Sequence, residues 1–93
     1  MRAITWDEFA DAVGTAYRVD HGESAVELTL DQAAEIASAG REAGSFRLEF
    51  VGPANPLLPQ AIYSFWRGDE LFEIFIVPIA QDRQGTRYEA IFY

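Results

Sequence analysis

The chain contains one histidine, His21, which is the residue type best suited to acid–base catalysis or metal binding. Imidazole titrates near neutral pH, and Asp20 and Glu23 beside it could orient a proton or share a cation. Catalysis needs further partners, and the spacing along the chain shows none. His21 also adjoins Gly22 in a predicted turn, where a solvated histidine is common. The sequence therefore predicts no catalytic role for this residue.

The other side chains that could do chemistry form no recognisable active-site pattern. No serine lies in a Gly-x-Ser-x-Gly elbow, and there is no cysteine to act as a nucleophile or thiolate ligand. Residues 82–85 are too few and too poor in oxygen ligands for a calcium loop. The glycines form no phosphate-binding loop. We therefore expect no catalytic residues, no metal site, no cofactor and no enzymatic activity.

Two overlapping P-x-x-P motifs lie in residues 53–59, and such motifs can dock into an aromatic groove of a partner. No basic residue stands beside them to orient a partner. Proline also cannot donate a hydrogen bond to a strand ladder. We interpret the segment as a stiff connector between two strands, in which Leu57 and Leu58 pack onto the core.

The charge balance excludes several classes of partner. Fifteen acidic residues and seven arginines, with no lysine, give a formal net charge of −8. Binding to nucleic acid or to an anionic membrane needs clustered basic residues, and these arginines are scattered singly. The longest apolar run, residues 74–80, is too short to span a membrane and contains Pro78. With no secretory signal pattern at the start, a cytoplasmic location is expected.

The first element is predicted to be a helix over residues 6–13. Thr5 and Glu8 have the spacing of a capping box, and Gly14 stands where a helix commonly ends. Between them, apolar residues recur at the spacing of one helical face: Trp6, Phe9, Ala10 and Val13.

The rest of the chain favours strands, because apolar and polar residues alternate. We predict strands at residues 17–19, 26–30, 45–51, 60–67, 71–77 and 86–93, with tight turns at Gly22 and at Gly68-Asp69. Residues 31–44 allow two interpretations. Asp31 could cap a short alanine-rich helix that runs to Ala39, or the strand continues toward Ile36 and a glycine-rich loop follows. We favour the strand.

Residues 60–67 and 71–77 are apolar on both faces, which predicts strands that are covered on both sides. The N-terminal helix is the obvious second cover. The predicted fold class is thus α+β: a single domain, residues 1–93, with one N-terminal helix packed on a curved antiparallel sheet of five to six strands. The strands would follow each other in meander order, in a curved sheet or a small open barrel.

The C-terminal half resembles a family of small bacterial proteins of this length, catalogued as a domain of unknown function. The resemblance is strongest over residues 45–93 and is carried by the segments Phe46-x-Leu48-x-Phe50-x-Gly52-Pro53, Pro56-Leu57-Leu58-Pro59-Gln60-x-x-Tyr63, Leu71-Phe72-x-Ile74-Phe75-Ile76-Val77-Pro78-Ile79 and Arg87-Tyr88-Glu89-Ala90-Ile91-Phe92. It implies an accessory or assembly role beside phage tail-collar or tail-fibre-like proteins, and hence a virion-associated location as an alternative. It implies no catalytic residues.

Three functional hypotheses follow. The first is a non-enzymatic protein–protein interaction or assembly module, whose partner is a tail-fibre-like protein or a second copy. Its last strand, residues 86–93, would lie at an open sheet edge that invites pairing. The alternative is that this strand is central, or closes a barrel against residues 17–19, and then it offers no interface. The second is a small-molecule-binding β-barrel with aromatic residues lining a cavity. The third is an enzyme that uses carboxylates. The interface residues predicted for the first are Leu57, Leu58, Trp66, Ile91 and Tyr93.

Overall fold

The computed structural model describes residues 4–36 and 45–92, and in these residues the regular secondary structure is almost entirely β-strand. Six antiparallel strands pair in the order β1-β2-β3-β6-β5-β4 and close into a barrel. The strands are β1 (Ala16–His21), β2 (Ser24–Glu35), β3 (Phe46–Gly52), β4 (Ala61–Arg67), β5 (Glu70–Asp82) and β6 (Gly85–Phe92). The predicted positions of all six strands are thus found, but the α+β class is wrong.

The strand order also corrects the predicted meander and open barrel. Two three-stranded units, β1-β2-β3 and β4-β5-β6, are joined where β3 pairs with β6 and β1 pairs with β4. The second of these ladders is short, with only the pairs Arg18↔Trp66 and Val19↔Phe65. Closure gives each of the six described strands a neighbour on both sides, whereas an open sheet leaves two strands at its edges.

The predicted N-terminal helix is replaced by a short 3₁₀ turn, Trp6–Glu8. The Thr5 side chain makes no capping hydrogen bond, and most of the backbone bonds that follow span three residues, such as Phe9 N to Trp6 O and Ala12 N to Phe9 O. An isolated helix of eight residues is barely stable in water. Burial of Phe9 and Ala12 therefore decides the local conformation.

The interpretation of residues 31–36 as strand is confirmed, because β2 continues through Asp31 to Glu35. A bulge between Leu30 and Gln32 leaves Asp31 as the extra residue of β2. The helical alternative is excluded for that segment, and residues 37–44 lie outside the described part. The tight turns predicted at Gly22 and Gly68 are confirmed, with φ of 60° and 59°, which glycine adopts without strain.

Aromatic and aliphatic side chains fill the interior of the barrel. Phe9 closes the end where β1, β3 and β5 begin, with its ring 5.3 Å from that of Phe72. At the other end the connector of residues 53–60 joins β3 to β4, and Leu58 from this connector is fully buried. Gly85 lies against the start of the connector: a Cβ there would stand 1.9 Å from the Gly52 carbonyl oxygen.

Candidate interaction surface

The outer side of β4 and β5 is apolar and uncovered in the described structure. Both faces of these strands were expected to be buried, and one face is: Phe65 and Ile74 are fully buried. The expected second cover is absent among the described residues, since the chain around Trp6 forms only a turn. As a result Ile62 is 67% exposed and Phe75 is 50% exposed. The prediction that both faces are covered is therefore wrong.

These exposed side chains are neighbours on three adjacent strands. Ile62 on β4 is paired directly with Phe75 on β5. Phe75 and Val77 then line a shallow pocket of about 230 Å³ together with Glu89 and Ile91 of β6. We call Ile62, Phe75, Val77 and Ile91 the outer apolar face. A contiguous apolar surface of this kind is typical of a contact site, whereas single exposed apolar residues are ordinary.

A tryptophan extends the apolar surface toward the seam between β4 and β1. Trp66 is paired with Leu71, which is 39% exposed. The Trp66 indole Nε1 donates a hydrogen bond of 2.9 Å to Oδ2 of Asp20 on β1. The guanidinium of Arg18 lies 5.4 Å from the centre of the indole ring, close enough for a cation–π interaction. Trp66 therefore also connects β4 to β1 on the outer side of their short ladder.

The other border of the face is a lattice of ion pairs on β3 and β6. Glu49 and Glu89 are direct neighbours across the two strands, an arrangement that like charges would destabilise. Arg47 lies between them, with its Nε 2.5 Å from Glu89 and a terminal nitrogen 2.9 Å from Glu49. These hydrogen bonds, first that to Glu89 and then that to Glu49, raise the pKa of Arg47.

Arg87 extends this lattice around the barrel. Its guanidinium contacts Asp82 at 2.6 Å, Asp31 at 2.8 Å and the second oxygen of Glu49 at 2.8 Å. The bulge in β2 brings Asp31 into this group. The hydrogen bond from Arg87 lowers the pKa of Asp82, and bonds to Asp82, Asp31 and Glu49 raise the pKa of Arg87. The buried carboxylate Glu49 thus has a cation at each oxygen.

The predicted interface residues fall in different places. Ile91, 38% exposed, belongs to the outer apolar face, and Trp66 is half-buried at its border. Leu57 is 52% exposed on the connector, whereas Leu58 is fully buried and offers no surface. Tyr93 lies outside the described residues.

The hypothesis of an open edge at residues 86–93 is wrong, because β6 lies between β3 and β5 and pairs with both. Residues 86–89 are paired with a strand on each side, so the alternative of a central strand is confirmed.

Ile62, Phe75 and Val77 were not predicted as surface residues. The sequence feature that could have identified them is the apolar character of both faces of β4 and β5. We interpreted it instead as evidence that both faces are covered by other elements. In a closed barrel one face of every strand must point outward. An apolar outward residue is then a candidate contact residue.

The residues considered for catalysis or metal binding do not converge. His21 lies half-buried at the end of β1, and its neighbour Asp20 is held by Trp66. Within residues 4–36 and 45–92 there is no group of three or more histidine, cysteine, aspartate or glutamate side chains able to hold a metal ion.

The interior aromatic residues pack on each other. The Phe50 ring lies 4.9 Å from that of Phe65 and 5.8 Å from that of Tyr17. Phe46 stacks on Phe92 at 4.5 Å. These rings occupy the space that a ligand would need in a small barrel.

The fold and this surface define a small closed β-barrel domain with an apolar patch on its outside. The chain belongs to the family described as Domain of unknown function (DUF6916), whose model matches residues 4–92. This confirms the resemblance drawn from the sequence. Neither the curated proteins nor the solved structures gave a match. In the described part of the chain, no helix is long and apolar enough to cross a membrane.

Proposed function

We propose that this domain is a non-enzymatic protein-binding module, and that its partner docks on the outer apolar face. The observation that carries the proposal is the exposure of Ile62, Phe75 and Ile91 on adjacent strands. A domain of this size needs most of its apolar residues for the core. The apolar surface of these exposed residues is not buried in the free domain, and a partner that covers them would bury it. Aromatic residues are also enriched in the centres of protein interfaces.

The architecture suits such a role. The face lies on regular strands of a closed sheet, and an ion-pair lattice around Arg47 and Arg87 borders it. Rigid elements present contact residues at a low cost in conformational entropy on binding. A tail-fibre-like protein is the partner class that the family resemblance implied, and an assembly role beside such a protein is part of the proposal.

The other two hypotheses draw less support. A ligand-binding barrel needs a cavity, whereas the described interior rings of Phe50, Phe65 and Tyr17 contact one another. The pocket at Phe75 is open to the outside and, at about 230 Å³, smaller than common small-molecule sites. An enzyme that uses carboxylates would need a free one, whereas each oxygen of the buried carboxylate Glu49 is paired with an arginine.

The test is site-specific photo-crosslinking in a native host cell. A photoreactive amino acid at Phe75 is expected to form one defined protein adduct. The same group at Glu27 serves as the control, because Glu27 is exposed on β2, three strands from β5 in either direction around the barrel. The cross-linked protein is then purified and its affinity for the isolated domain is measured by calorimetry.

Substitution of Phe75 by Ser is expected to weaken that affinity at least tenfold while the thermal midpoint changes little, since Phe75 is half exposed. The matched substitution Glu27→Ser is expected to leave the affinity unchanged. Equal cross-linking from Phe75 and Glu27, or equal affinity of the Phe75→Ser variant, would remove the basis of the proposal.

A further inference from the structure

A carboxylate stands in the middle of the exposed apolar surface of β4 and β5. Glu73 points outward on β5, on the same side of the strand as its neighbours Leu71 and Phe75. The pairing Ser64↔Glu73 lies between Trp66↔Leu71 and Ile62↔Phe75. Side chains two residues apart along a strand are about 6.7 Å apart. The surface therefore presents an apolar row, an acidic position and a second apolar row.

Glu73 has no cationic partner among the described residues. Its two oxygens lie 3.4 and 3.3 Å from the hydroxyl of Ser64. A hydroxyl has one hydrogen, whereas a carboxylate has about four acceptor sites, so most of its capacity is unused. The carboxylate is half-buried between its apolar neighbours.

None of the described arginines forms an ion pair with Glu73. Arg67, near Glu73 in the β4–β5 hairpin, pairs with Glu70 at 2.8 Å. Arg47 and Arg87 belong to the ion-pair lattice, and Arg18 lies over Trp66. Arg83 is exposed in the turn after β5. Glu73 thus has no described arginine paired with it, on a surface that is otherwise apolar.

This charge selects among partners. A purely apolar partner would strip water from Glu73 and leave a buried unpaired carboxylate, which is costly. A second copy in a two-fold arrangement would bring two Glu73 side chains into one interface, in a protein whose net charge is already −8. A partner that places a lysine or arginine on Glu73 turns this penalty into a charge-assisted hydrogen bond.

We propose that the outer apolar face, together with Glu73 and the Trp66–Leu71 pair beside it, binds a protein segment in which a lysine or arginine lies between apolar side chains. The basic side chain would contact Glu73, and the flanking apolar ones would contact Ile62 with Phe75 on one side and Trp66 with Leu71 on the other. This inference rests on the proposed function and adds the chemistry of the partner. Glu73 is then the residue that rejects apolar and acidic sequences.

The test is selection of binders from a random peptide library displayed on phage, with the purified full chain as target. Three targets are used: the native protein, Glu73→Lys and Glu23→Lys. Glu23 is exposed in the turn between β1 and β2, so its replacement makes the same change in net charge away from the face. The thermal midpoint of each protein is measured first to show that all three are folded.

The native protein and the Glu23→Lys variant are expected to select peptides with a basic residue flanked by apolar ones. The Glu73→Lys variant is expected to select acidic residues at the same position. A synthetic peptide from the first pool should bind Glu73→Gln roughly tenfold more weakly than the native protein. Its affinity for the native protein should also fall as salt is added.

The outcomes separate this inference from the proposed function. Two outcomes would overturn the inference and leave the docking face in place. In the first, the selected peptides lose binding to Phe75→Ser but carry no basic residue. In the second, the native and Glu73→Lys targets select the same peptides. Peptides that bind Phe75→Ser as well as the native protein would contradict both proposals. A selection that enriches no sequence from the native target also counts against the inference.

Discussion

The phenol oxygen of Tyr88 accepts a hydrogen bond of 3.0 Å from the backbone N–H of Leu58, thirty residues away in the chain. Tyr88 belongs to β6 and Leu58 to the connector of residues 53–60, so this buried contact fastens the connector to the end of the barrel. Tyr63 makes a second tie, in which its hydroxyl donates to the carbonyl oxygen of Pro59 at 2.6 Å. The two ties differ in exposure, which gives a matched pair of variants.

We predict that Tyr88→Phe lowers the free energy of unfolding by about 1–3 kcal/mol, because it leaves the buried N–H of Leu58 without an acceptor. The exposed tie is worth less, so Tyr63→Phe is expected to cost under about 1 kcal/mol. Denaturant unfolding of both variants measures the difference. An equal loss in the two would mean that the Leu58 contact does not anchor the connector.

The N-terminal segment offers a comparison of two residues from the stripe that predicted a helix. Phe9 is fully buried against Tyr17, Phe46 and Phe72. We expect Phe9→Ala to lower the free energy of unfolding by about 3–5 kcal/mol, as for large core truncations. Val13 is 55% exposed, so Val13→Ala should change it by less than about 0.5 kcal/mol. Similar losses at both positions would support the helix packed on the sheet and contradict the turn.

The contact between Arg87 and Asp82 predicts a pH-dependent stability. Its hydrogen bond lowers the pKa of Asp82 in the folded state. The stabilisation by this contact is therefore present above the pKa of an aspartate in the unfolded chain, about 3.9. It is lost as the pH falls through the lower pKa that Asp82 has in the folded state. Arg87→Gln should thus lower the thermal midpoint at pH 7, and its difference from the native protein should shrink below about pH 4.

Arg83→Gln is the control for this experiment, since Arg83 is an exposed arginine and the change in net charge is identical. Its midpoint is expected to stay close to that of the native protein throughout. A difference between the Arg87→Gln variant and the native protein that stays constant down to acid pH would exclude this linkage.

Acid should promote self-association through the outer apolar face. At neutral pH the net charge of −8 keeps copies apart. Protonation of carboxylates removes this repulsion as the pH approaches the sequence pI of 4.4. We expect the scattered light intensity to rise near that pH, and to rise less for Phe75→Ser. Constant scattering from neutral pH through the pI would contradict the prediction.

Local signals in the sequence were reliable where short-range physics decides the conformation. The alternation of apolar and polar residues located the strand from Phe46 to Gly52, and Gly22 and Gly68 located two turns. The spacing of Trp6, Phe9 and Val13 was equally regular, but it predicted the wrong element. An isolated helix of eight residues is only marginally stable, so burial of Phe9 and Ala12 decides in favour of the turn.

The amino-acid sequence determined the strand positions, the separation of each strand's side chains into two faces, the family and the acidic surface, since these depend on neighbours in the chain or on composition. Only the tertiary structure decided that β6 pairs with β3 and that β1 meets β4, because such ladders join residues far apart in the chain. The same closure decided that Ile62 and Phe75 point outward with Glu73 between the apolar rows. Alternation separates the two faces of a strand, but the side on which the barrel closes is a property of all six strands together.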